Sequence, residues 1–67
     1  MIIVSSVSDG RELDRVTLHD GALSYLTGRA RPMFEAKRRL GLDDAAIYDT
    51  LRSWSNGYVV TREATED

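Results

Sequence analysis

Cysteine is absent from this 67-residue chain, and histidine and lysine each occur once. The first absence excludes disulfides and thiolate zinc sites together. The lone His19 leaves an imidazole-based metal cluster without its ligands. No apolar run approaches the ~20 residues of a membrane span. Met1-Ile2-Ile3-Val4 is too short, and lacks the basic start, for a signal peptide, so the expected address is the cytoplasm. A dominant charge is missing as well. A net charge of −2 and a pI near 5.2 argue against a chain held to nucleic acid by its overall field.

What is present suits one small globular domain. Hydrophobic residues make up 42% and charged residues 30%, too apolar a mixture for disorder. A chain of this length buries only roughly 60% of its unfolded surface, so its core offsets chain entropy narrowly. With disulfides and metals excluded, self-association or docking on a partner is the remaining supplement. Residues 1–62 are expected to form the domain, and 63–67, with Glu63, Glu66 and Asp67, a frayed acidic tail.

The clearest local signal is Asp20-Gly21, the pair favoured in a two-residue type I′ turn. Closing the hairpin there sets His19 opposite Ala22, Leu18 opposite Leu23, Thr17 opposite Ser24 and Val16 opposite Tyr25. Cross-strand partners share a face, so Val16, Leu18, Leu23 and Tyr25 fall on one side. Ile2-Ile3-Val4-Ser5-Ser6-Val7 reads as a β-branched strand. A tight hairpin at Asp9-Gly10 would set Val7 opposite Glu12 and Ser6 opposite Leu13, so a bulged connection over 8–14 is expected, bringing Ile3 near Val16.

Two helices follow. Thr27-Gly28 opens the first, with Pro32 tolerated in its initial turn. Ala30, Met33, Lys37 and Leu40 form its apolar stripe, flanked by Phe34 and Ala36, and Gly41 stops it. Asp43 caps the second helix, and Leu42 and Ile47 have the spacing of a hydrophobic staple. Ile47, Leu51 and Trp54 form the second buried stripe, with Tyr48 at its margin. Ser55-Asn56-Gly57 is read as the end of this helix, and Tyr58-Val59-Val60-Thr61 as a strand returning to the sheet. The fold class is therefore α+β: a small antiparallel sheet in the order β-β-β-α-α-β, with a helical hairpin packed on one face.

Arg29 to Arg39 carries five basic residues and one acid, a local +4. Such a face can sit on phosphates, yet Glu35 lies within helical reach of Arg31, Arg38 and Arg39 and ties them into ion pairs. No aromatics alternate with the arginines to stack bases. Asp43, Asp44 and Asp49 lack the spacing of a calcium loop, and capping accounts for the first two. His19 borders a turn with no paired serine or acid beyond Asp20. Lys37, inside an apolar stripe, snorkels or meets a carboxylate.

The pattern Asp20-Gly21-x-Leu23-x-Tyr25-x-Thr27-Gly28-x-Ala30, with Trp54-Ser55-Asn56-Gly57-Tyr58-Val59 further on, resembles short uncharacterised proteins of actinobacterial phages and prophages. The likeness spans residues 16–60, and the arginine-rich, lysine-poor usage fits such a source. It implies a small accessory or virion-assembly protein and carries over no catalytic residue.

The expected function is a non-enzymatic protein-interaction module whose partner is another protein or a second copy. Its candidate interaction residues are Arg31, Arg38, Arg39 and Tyr48, on the exposed margins of the helical hairpin. The alternative is a small nucleic-acid-binding regulator using the basic helix 29–40. No motif places a nucleophile, a base and oxyanion donors together, so no enzyme is expected. Neither cofactor nor metal is expected, and no membrane contact.

Overall fold

A computed structural model describes residues 1–64. Strands β1 (Ile2–Ser6), β2 (Glu12–His19) and β3 (Ala22–Tyr25) precede helices α1 (Arg31–Arg38) and α2 (Asp44–Leu51). Strands β4 (Trp54–Ser55) and β5 (Val59–Glu63) complete the chain. The strands form one antiparallel sheet in the order β3-β2-β1-β5-β4, and both helices lie on the same face. The α+β class expected from the sequence is the one found. No helix among the described residues is long and apolar enough to cross a membrane.

The β2–β3 hairpin has the register that Asp20-Gly21 dictates, from His19 opposite Ala22 to Val16 opposite Tyr25. Asp20 and Gly21 have φ of +52° and +77°, the two left-handed residues a type I′ turn requires. The first hairpin differs from expectation by one residue: Ile2, not Ile3, lies opposite Val16, and Ile3 faces Arg15. Three consecutive apolar residues hide which parity points inward, and here Ile2 and Val4 do. The expected irregularity is a bulge, since Val4 pairs with Asp14 and Ser5 with Glu12, leaving Leu13 extra.

The core joins Ile2, Val4 and Val16 to Ala30 and Phe34 of the α1 segment and to Ile47 and Leu51 of α2. Asp43 caps α2 as expected, its Oδ1 accepting the Ala46 N–H at 2.9 Å. Leu42 packs against the core cluster that includes fully buried Ile47. In α1 the stripe is shorter than the periodicity predicted. The helix stops at Arg38, so Leu40 lies beyond it and is 73% exposed.

The C-terminal third also differs from the expected pattern. The second helix ends at Leu51, and Trp54 opens β4 instead of extending the buried stripe. Thr61 stabilises this break. Its hydroxyl donates to the Leu51 carbonyl and accepts the Trp54 N–H at 2.8 Å, tying the helix end to the new strand. Ser55-Asn56-Gly57 consequently belongs to the β4–β5 hairpin. Trp54 pairs with Thr61 and Ser55 with Val60, leaving Gly57-Tyr58 as the two loop residues. Gly57, at φ +90°, supplies the positive dihedral that such a loop needs at its first position. Strand β5 then runs along β1, and Glu63 pairs with Ile2. The Ala64 N–H donates to the Met1 carbonyl, so the ladder includes the first two residues of the expected tail. Residues 65–67 of that tail lie outside the described residues.

Candidate interaction surface

The helical side of the sheet holds the four residues singled out by sequence. Arg38 sits between the two helices. Its Nε lies 3.2 Å from Glu35 of its own helix and its Nη2 2.6 Å from Asp44 of α2. Asp44 in turn accepts the Leu23 N–H of edge strand β3 at 3.1 Å. One arginine and one aspartate thus clasp α1, α2 and the sheet edge, and an outward-facing backbone donor of β3 is already satisfied. Strand addition, a general route to partner capture, is obstructed at that position.

Arg31 lies over the Tyr25 ring, 4.8 Å from its centroid, and that ring meets Phe34 edge-on at 5.7 Å. The Tyr25 hydroxyl is buried without a hydrogen-bond partner among the described residues. Burial pushes its phenol pKa up, and the nearby Glu35 carboxylate adds to the shift. Lys37 spans the edge of the core with its ammonium 5.8 Å from the Trp54 ring centroid, so an indole face meets the buried-stripe lysine. Tyr48 is half-buried and packs against the core. Arg39 is exposed and forms no ion pair among the described residues.

Among the described residues no second layer packs on the opposite face of the sheet. Alternation and register put Ile3, Ser5, Arg15, Thr17, Ser24, Val60 and Arg62 on it. Ile3, opposite Arg15 on one side and Arg62 on the other, is only 7% exposed although no helix covers it. Arg15 is held by Glu12, at 2.7 and 3.1 Å, and this pairing lowers the Glu12 pKa. Toward the far end of β1, the Val7 N–H donates to the Tyr58 carbonyl at 2.9 Å, extending the β1–β5 ladder by one step. Val7, Tyr58 and Val60 therefore adjoin on this face, at 48%, 81% and 39% exposure. At the other end an open depression of about 340 Å³ is lined by Met1, Arg15, Thr17, Ser24, Tyr25 and Leu26.

Comparison with protein-family models, curated proteins and solved structures returned no match to this chain. His19 and Asp20 approach to 3.4 Å, but their side chains are 87% and 90% exposed at the hairpin tip. Among the described residues no three His, Cys, Asp or Glu side chains converge to hold a metal ion.

Sequence reasoning missed Asp14. This carboxylate is 1% exposed. Its Oδ1 accepts the N–H groups of Arg15 and Thr27, both at 2.8 Å, and its Oδ2 that of Ala30 at 3.0 Å. Burial by itself would raise its pKa, but the Thr27, Ala30 and Arg15 donors outweigh that and hold it below the usual carboxylate range. Thr27 reinforces the clip by donating its hydroxyl to the Leu13 carbonyl at 2.9 Å and accepting the Arg29 N–H at 3.2 Å. The available signal was parity: Asp14 is two residues before Val16 and so shares its inward face, unless a bulge intervenes between them.

Proposed function

We propose that the chain is a non-enzymatic protein-interaction module that works through the uncovered face of its sheet. The observation that carries this reading is the patch of Val7, Tyr58 and Val60, brought together by the β1–β5 pairing and exposed on a face that no other element among the described residues covers. Isolated exposed apolar residues are ordinary, whereas adjoining ones rimmed by polar groups mark contact surfaces. Tyr58 supplies an aromatic anchor of the kind that dominates binding energies, and Arg62 a charged rim.

The helical side supports the reading less well. Arg31 covers Tyr25 and Arg38 is shared between Glu35 and Asp44, so two of the three candidate arginines there already serve the fold. The same occupation weakens the nucleic-acid alternative, which needs those cations free for phosphate. The resemblance over residues 16–60 supports a partner within a phage-type assembly, in the host cytoplasm or the virion. That part of the proposal rests on the resemblance alone.

A photo-crosslinking side chain placed at Tyr58 or Val60, with a third at Arg39, tests the surface in producing cells. A discrete protein adduct from positions 58 and 60, and none from 39, is the supporting result. Adducts only from Arg39 would return the working surface to the helices. A solution-mass shift with short duplex DNA that disappears as salt rises would promote the nucleic-acid reading.

A further inference from the structure

Asn56 carries the only side-chain amide in the chain, and it stands in an unusual setting. Its Oδ1 accepts two backbone N–H groups, from Tyr58 at 2.9 Å and from Val59 at 2.8 Å. Its amide nitrogen has no hydrogen-bond partner among the described residues. The next residue is Gly57, exposed, at φ +90°, with nothing within 4 Å of where a Cβ would stand. The Gly57 N–H faces the Ser55 hydroxyl at 3.4 Å.

From this geometry we infer that Asn56 is a self-modification site, converting to a carboxylate through a cyclic imide with the Gly57 nitrogen. Attack by that nitrogen on Asn56 Cγ forms the new C–N bond and puts negative charge on Oδ1. The two donors at 2.8–2.9 Å then occupy the places of an oxyanion hole. Loss of the Gly57 N–H proton, for which Ser55 Oγ is an acceptor on the way to solvent, accompanies breaking of the Cγ–Nδ2 bond, and ammonia departs. Water then opens the imide. Cleavage at the Cγ side gives aspartate; cleavage at the main-chain carbonyl gives isoaspartate. No oxidant, metal or partner enters the balance. Either product adds a negative charge beside Tyr58. Isoaspartate also lengthens the backbone by one carbon between β4 and the two-residue loop, a length the Ser55–Val60 register does not accommodate.

The test follows the wild-type chain at mildly alkaline pH, folded in buffer and unfolded in urea, by intact mass, released ammonia and isoaspartate-specific methyl labelling. Because the chain has no other side-chain amide, the one-dalton gain in intact mass reports Asn56 alone. Ammonia is read against a protein-free urea blank, and isoaspartate is assigned to residue 56 by peptide mapping, since Asp9-Gly10 and Asp20-Gly21 isomerise through the same imide. The expected result is conversion severalfold faster in the folded protein, with Ser55→Ala still folded and converting more slowly than wild type. Equal rates in the two states, or suppression by folding, would overturn the inference, because the turn would then contribute nothing to the step or oppose it.

Discussion

Asp14 and Asp44 both accept backbone N–H groups from outside their own elements. Asp14 takes those of Thr27 and Ala30, in the loop between β3 and α1, and Asp44 that of Leu23 on edge strand β3. They differ in what balances the charge. Asp14 is buried and is balanced by three backbone N–H dipoles with the Thr27 hydroxyl beside them, whereas Asp44 keeps 19% of its side chain exposed and lies against the Arg38 guanidinium. A buried carboxylate that satisfies three donors cannot be removed without orphaning all three. A half-buried one with a cation beside it leaves groups that water can reach.

The largest effect should come from Asp14→Ala. It should lower unfolding free energy by about 2–5 kcal/mol, a large part of the whole for a small domain. Asp14→Asn keeps one acceptor oxygen and should cost about 1–3 kcal/mol. Urea midpoints read both, and a loss under ~0.5 kcal/mol for the alanine variant would break the contrast with Asp44.

Acid sharpens the same comparison. A carboxylate whose native pKa is depressed stabilises the fold fully above its unfolded value, and that contribution disappears as pH falls through the native one. Wild-type stability should therefore drop below pH ~4, while the Asp14→Asn variant, weaker at neutrality, should show a flatter profile there. Parallel profiles would assign the acid sensitivity elsewhere.

Asp44→Ala, which frees the Leu23 N–H and the Arg38 guanidinium, should cost about 1–2 kcal/mol. Arg38→Ala should cost less than ~1 kcal/mol, because both its ion pairs are partly exposed. Equal losses would mean that Asp44 works mainly through the arginine. Tyr25→Phe should do the least, raising stability by up to ~1 kcal/mol as an unpartnered buried hydroxyl is removed.

The hairpins at Asp20-Gly21 and Asn56-Gly57 show how legibility depends on what flanks a turn. Around Asp20-Gly21, four residues on each side alternate, and period and turn chemistry agree on one register. Asn56-Gly57 is followed by a good strand but preceded by one of two residues, too short to display a period. Ile47, Leu51 and Trp54 keep helical spacing straight through the break, so the glycine passed for a helix stop. What ends the helix is Thr61, ten residues beyond Leu51, and a contact of that kind leaves no local trace. Arg38 was legible as a basic helix-face residue paired with Glu35, whereas its second partner across the hairpin was not. The bare sheet face was likewise implicit in the packing of both helices on one side, but Tyr58 joins it only through the register of β5 with β1.

The position of β1 has a kinetic consequence. It lies in the middle of the sheet, between β2, a short loop away, and β5, which pairs Glu63 with Ile2 across nearly the whole chain. Half of its ladder is local and half is about as long-range as the chain permits. Closing the long loop costs chain entropy before any bond to β5 repays it. The meander of β1, β2 and β3 can therefore form early on the folding path, with one side of β1 open until the last strand arrives. Changes in β5 that leave the native contacts of the meander intact should then chiefly accelerate unfolding, and changes in the Asp20-Gly21 hairpin should chiefly slow folding.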